Sequence, residues 1–133
     1  PGARVKLIAG RLQGAEGPIV QPATDPVYFD LDLAPGAALT LPVPARHAAF
    51  LYVYEGNLDV LAAAGRQRLA RSQLAVLGEG GELVVKGGSE ATRAILVAGR
   101  PLREPVARYG PFVMNTREEL MQAFVDYQEG RFV

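Results

Sequence analysis

Residues 27–33 read Val-Tyr-Phe-Asp-Leu-Asp-Leu, with apolar side chains at 27, 29, 31 and 33 and acidic ones at 30 and 32. Successive side chains of a strand point to opposite faces, so one face of this segment must turn inward and the other toward water. Pro35 and Gly36 mark a turn, and alternation returns in Leu39-Thr40-Leu41-Pro42-Val43 until Pro44 and Ala45 end it. Residues 50–54, Phe-Leu-Tyr-Val-Tyr, are bulky on both faces, and residues 58–61 alternate again after Glu55-Gly56-Asn57. That pattern predicts a hairpin around Gly56. Further strands are expected at 5–9, 67–70, 73–77, 83–86 and 93–98, separated by Gly65, by Gly78-Glu79-Gly80-Gly81 and by Gly87-Gly88. About eight to ten short strands punctuated by turns point to an all-β sandwich, jelly roll or barrel.

The end of the chain follows a different period. All ten prolines and fourteen of the fifteen glycines lie at or before Pro111. Thr116 and Glu119 then have the capping-box spacing, with Glu118 and Glu119 in the first turn of the helix this predicts. Leu120, Ala123, Phe124 and Tyr127 recur at helical spacing as one apolar stripe, and Gly130 supplies a stop. Such a stripe is expected to bury Leu120, Phe124 and Tyr127 by docking on the β body, because a helix of about 14 residues is marginal alone. With no internal repeat and no long linker, the chain is expected to form a single domain over 1–133, a β-barrel over 1–114 and a helix over 115–130.

Composition removes several classes of function. Fourteen basic residues balance fourteen acidic ones, so no net field gathers nucleic acid or anionic lipid, and direct binding of either is not expected. The chain has no cysteine, which excludes disulfides, thiolate catalysis and sulfur-ligated metals. No apolar run is long enough to span a bilayer and no signal pattern opens the chain, so a cytoplasmic location is expected.

Few residues are candidates for chemistry. His47 is the single histidine and stands beside Arg46, without a Gly-x-Ser-x-Gly elbow to suggest nucleophilic catalysis. It reads as a polar loop residue, or else as a ligand contact at a barrel mouth. Asp30 and Asp32 share a strand face but on the side opposite the apolar one, which suits a solvated surface better than an acid–base pair. Glu79 and Glu82 read as exposed hairpin residues, and the glycines at 78, 80 and 81 lead into a strand rather than the helix a phosphate cradle needs. Arg66, Arg68 and Arg71 form a basic stripe without interleaved aromatics, as expected of a solvated edge that discourages strand pairing.

Tyr109-Gly110-Pro111-Phe112-Val113-Met114-Asn115-Thr116-Arg117-Glu118-Glu119-Leu120, followed by Tyr127-Gln128-Glu129-Gly130-Arg131-Phe132, resembles the C-terminal signature of the pirin family. Ile8-Ala9-Gly10, Pro35-Gly36, residues 50–56 and Gly99-Arg100-Pro101-Leu102 are similar to the second half of such proteins. The resemblance implies a cupin-type barrel or jelly roll, and it covers nearly the whole chain. Pirin-like proteins are bicupins, whose N-terminal cupin holds an iron-type metal through three histidines and a glutamate. Some members are quercetin 2,3-dioxygenases and others are described as nuclear or transcriptional cofactors. The chain is therefore expected to be the C-terminal half of a longer two-cupin protein.

The cupin metal motif places two histidines two residues apart, a carboxylate about four residues on, and a glycine turn seven or eight further. Counted back from Gly56, those positions hold Pro42, Pro44 and Ala48, or Val43, Ala45 and Ala49 one residue out of register. Neither set offers a donor, and the second motif would fall in 77–93, which has no histidine. No catalytic, cofactor-binding or metal-binding residue is assigned, and no cofactor is expected in this chain. An iron-type metal would belong to the N-terminal cupin, the expected partner of this one. The leading expectation is a metal-free cupin with a structural or ligand-shaping role beside that partner, and no enzyme by itself. The alternatives are an independent module binding an apolar small molecule or a protein, and one half of a full-length metal-dependent quercetin 2,3-dioxygenase. Substrate, protein partners and oligomeric state are not fixed by the sequence.

Overall fold

Period-two alternation produces strands over most of the first hundred residues. In the computed structural model, which describes residues 1–63 and 65–132, these are β1 (Ala3–Ala9), β2 (Arg11–Leu12), β3 (Ala15–Glu16), β4 (Val27–Leu33) and β5 (Ala38–Pro42). They continue as β6 (Ala48–Glu55), β7 (Asn57–Ala62), β8 (Gly65–Ala70), β9 (Leu74–Leu77), β10 (Glu82–Gly87) and β11 (Thr92–Gly99). Last come β12 (Ala107–Tyr109), β13 (Phe112–Met114) and the helix α1 (Arg117–Gln128). The chain divides into two compact units, Pro1–Pro101 and Leu102–Val133.

The first unit is built on two antiparallel sheets, ordered β1-β4-β11-β6-β9 and β5-β10-β7-β8. Their inward residues make one apolar core. Phe29, Leu31 and Leu33 of β4, Leu51 and Val53 of β6, and Leu96 of β11 come from the first sheet; Leu41, Leu58 and Val85 come from the second. All nine are wholly buried, so both sheets turn apolar side chains into one common interior. This is the jelly-roll arrangement of a cupin-type domain, in which each strand's alternate residues face the opposite sheet.

The segment around Gly56 is not a hairpin. β6 pairs with β11 and β9, whereas β7 pairs with β10 and β8, so the chain crosses from one sheet to the other at this point. Alternation predicts two strands on either side of a turn, but it carries no information on which sheet each joins. Gly56 takes a φ of +70°, and a Cβ there would collide with the carbonyl oxygen of Ala91 and the side chain of Thr92. The wholly buried Thr92 hydroxyl donates to the Asn57 carbonyl at 2.7 Å and accepts from the Asn57 N–H at 3.3 Å. The same carbonyl accepts the Gly88 N–H at 2.9 Å, and Asn57 Oδ1 occupies the space where a Cβ on Gly88 would go. Backbone groups that the crossing withdraws from either ladder thus find partners in one interlocked corner. The connection from β9 to β10 also changes sheet, so Glu79 and Glu82 are exposed but do not flank a hairpin.

The second unit is small. α1 starts as its sequence dictates: Thr116 accepts the Glu119 N–H at 3.2 Å, while the Glu119 carboxylate accepts the N–H groups of Asn115 at 2.9 Å and Thr116 at 3.2 Å. Its buried residues are Leu120 and Ala123, and they pack with Phe112, Ala107 and Met114 of the β12–β13 hairpin. Phe124 is half-buried and Tyr127 is 67% exposed, so of the three stripe residues expected to be buried only Leu120 is, and its cover comes from the small unit itself. The hairpin's Phe112 takes the central place instead, edge-on to the rings of Phe124, Tyr127 and Phe132 at 4.9, 5.9 and 5.1 Å.

Two glycines separate the corner's packing from simple backbone strain. Gly36 and Gly56 have almost the same φ, +71° and +70°, but nothing lies within 4 Å of a Cβ built on Gly36. In urea unfolding, Gly36→Ala should cost about 1–2 kcal/mol, the penalty of a left-handed alanine, and Gly56→Ala clearly more, about 3 kcal/mol or above. Equal losses would contradict the interlocked corner.

Candidate functional site

β5 ends at Pro42 and β6 begins at Ala48, so the loop between them runs along one rim of the two-sheet unit. Val43 tucks inward, held by its N–H donating to the Gly81 carbonyl at 3.0 Å, while Pro42, Pro44 and Ala48 are exposed at the rim. Pro42 and Pro44 line a cleft of about 290 Å³ together with Gly10, Arg11, Glu16 and Asp25. Its polar groups neutralise one another in part, since Arg11 and Glu16 pair at 3.1 Å across the β2–β3 hairpin.

His47 lies in the β5–β6 loop, but its ring is turned into the fold. Its side chain is only 4% exposed, and Nε2 lies 2.9 Å from the Asp25 carbonyl oxygen and 3.5 Å from the Asp25 carboxylate. A carbonyl can only accept, so Nε2 donates here and the other ring nitrogen is left to find a partner elsewhere. That nitrogen, Nδ1, is buried with no hydrogen-bond partner among the described residues. Asp25 also faces Arg100 at 3.9 Å. Both Asp25 and Arg46 adopt positive φ, +44° and +68°, which brings the two loops together and puts the imidazole between them. His47 ties the 17–26 loop to the β5–β6 loop. Sequence reasoning missed Asp25, which sits in an aperiodic loop where no pattern singles out one residue.

The positions that the family's metal pattern would occupy do not fit a metal. Proline and alanine side chains have no donor atom, and the nearby imidazole is committed to Asp25 through the nitrogen that faces it. Among the described residues, no group of three or more His, Asp or Glu side chains gathers closely enough to hold an ion.

The other candidate carboxylates are structural. Asp30, expected on a solvated face, has a side chain only 22% exposed, accepts the Tyr54 hydroxyl at 2.6 Å and pairs with Arg93 at 3.3 Å. Arg93 also stands 5.3 Å from the centre of the Tyr54 ring. Burial and the Asp30 carboxylate push the Tyr54 phenol up to about 12. Asp32 is more exposed and meets Arg4 at 3.9 Å. The arginine stripe is anchored as well: Arg68 forms a two-point contact with the buried Asp59 at 2.8 and 3.3 Å, and Arg66 approaches it at 3.6 Å. The Arg68 hydrogen bond holds the Asp59 carboxyl below its ordinary range. Alternation alone places Asp59 in water, and only the β7–β8 register, which sets Asp59 opposite Arg68, explains its burial.

With two facing sheets and a proline-lined rim in view, the likeness to known proteins is specific. Residues 28–133 match the family described as the pirin C-terminal cupin domain, and the chain belongs to that family. A pirin-like protein of Caulobacter vibrioides is 43% identical over 98% of this chain and 46% of its own length. Human pirin is 36% identical over 98% of the chain and 45% of its length. A crystal structure of quercetin 2,3-dioxygenase from Acinetobacter baumannii superimposes with a TM-score of 0.85 at 35% identity, covering 98% of this chain and 44% of that one. The chain spans about half the length of the curated relatives it matches. No helix among the described residues is long and apolar enough to cross a membrane.

The Tyr54 cluster makes a pH-dependent prediction. A phenol whose folded value lies above its unfolded value of 10.0 keeps its proton longer in the folded state. Its stabilising contribution is therefore full below pH 10 and is lost as pH rises from about 10 to about 12. Ultraviolet titration should show one of the five tyrosines ionising last, and Asp30→Asn should bring that tyrosine down toward the others. A wild-type curve with all five ionising together would contradict the cluster.

Proposed function

We propose that this cupin is a non-catalytic half, which supports and shapes a metal-binding N-terminal cupin in a protein of pirin length. The observation that carries the reading is the rim itself. Where the family pattern would call for imidazole and carboxylate, Pro42, Pro44 and Ala48 stand, and the single histidine is spent on joining two loops. The filled interior supports the same reading, since Phe29, Leu31, Leu51, Val53 and Leu96 occupy the volume that a substrate cavity would need. It also weighs against a module that binds an apolar small molecule inside the barrel.

The half-length match supports a division of labour between two cupins. Any dioxygenase chemistry of a full-length protein, of the kind named for the Acinetobacter baumannii relative, would then lie in the other half. A redox metal needs at least three converging ligands with open positions, and Pro42, Pro44 and Ala48 have no side-chain donor to give it.

The experiment is direct. The 133-residue chain with added ferrous iron should consume no oxygen in the presence of quercetin beyond the background of the free metal. Oxygen uptake that saturates in quercetin, scales with protein and survives chelation of loose iron would overturn the proposal.

A further inference from the structure

The four sheet edges of the first unit differ in how they are protected. β1 carries exposed Arg4 and Lys6 and has an irregularity between Leu7 and Ala9. β8 carries Arg66 and Arg68, and β5 ends in Pro42, which has no N–H to offer. These are the usual devices against unwanted strand pairing. β9 has none of them. Among the described residues it pairs only with β6, and its sequence is Leu74-Ala75-Val76-Leu77, with Leu74 50% and Val76 81% exposed.

The surface beside this edge is apolar too. The registers line up Val76, Phe50 and Val97 in one row across the outer face of the sheet, and Leu74, Tyr52 and Ile95 in the next. The outward face of an antiparallel sheet left in water is normally polar, as it is here farther along, where Asp30, Arg93 and Asp32 stand. An apolar cleft of about 470 Å³ opens between these rows and the strand end at Gly99 and Arg100. A bare edge and an apolar face together are the features of a surface to which another strand is added.

We propose that β9 and its flanking rows receive an extended segment of the other cupin half, which adds a strand to this sheet with apolar side chains at alternate positions. This rests on the two-cupin reading above. The choice of occupant follows from length and mass action. Relatives matched over 98% of this chain are about twice as long, so in them a second half is tethered at high effective concentration. A separate copy at micromolar concentration cannot compete with a tethered segment at millimolar effective concentration. The net charge of zero and the Asp30–Arg93 pair leave no charge handle for an ionic partner.

Hydrogen exchange on two proteins tests this: the 133-residue chain and the full-length pirin-like protein of Caulobacter vibrioides. The β9 amides pointing away from β6 should exchange rapidly in the chain alone. The matching amides of the full-length relative should be slower by about tenfold or more. Rapid exchange in both proteins would overturn the surface assignment. So would protection of the isolated chain that grows with its concentration, because a second copy would then be the occupant. Metal analysis of the same full-length preparation reads the underlying proposal separately. Slow exchange without bound metal keeps the docking surface and removes the metal-binding partner, whereas metal with rapid exchange does the reverse.

Discussion

Two sheets share one apolar interior, and the chain must cross between them without leaving a backbone group stranded. Everything else in the larger unit depends on meeting that constraint. The crossing at Gly56 meets it by close approach: one residue without a side chain lets β6 stop against residues 91 and 92, and Thr92 completes the hydrogen bonding of Asn57. Gly88 is held beside the same asparagine, so the ends of β6, β7, β10 and β11 meet in one place. Burial of Leu31, Leu51, Leu58 and Val85 supplies the driving force, but the corner decides which strands can face each other.

A filled interior has consequences at the rim. Barrels that bind ligands leave part of their inner surface open, whereas here wholly buried leucines, valines and a phenylalanine occupy it. Several polar side chains hold the structure in place: Asp59 anchors Arg68, Asp30 anchors Tyr54 and Arg93, and His47 anchors the loop of Asp25. The rim loop is shaped by prolines, which fix backbone direction and offer no side-chain donor.

Much of this was legible in the sequence, for reasons that differ from element to element. Residues 27–33 alternate without a fault, and β4 has those bounds. The capping box of Thr116 and Glu119 placed the start of α1 because its chemistry is local. The paired strands β2–β3 and β12–β13 escaped notice because two or three residues are too few to show a period. The hairpin reading at Gly56 failed because partner choice is decided by the whole core and not by the turn. Tyr127 lay on the helical stripe but remains exposed, since periodicity identifies a face and not what covers it. The absence of donors at Pro42, Pro44 and Ala48 could be read directly, whereas the burial of His47 could not, because its partner Asp25 is 22 residues away.

As the proposed non-catalytic half, this cupin should hold no ferrous iron at its rim, where Pro42, Pro44 and Ala48 offer no donor. Anaerobic equilibrium dialysis of the 133-residue chain against ferrous iron tests it most directly, because binding is measured without reference to any substrate. Metal concentrations on the two sides of the membrane should be equal once nonspecific binding is subtracted. A saturable excess on the protein side approaching one ion per chain would contradict it.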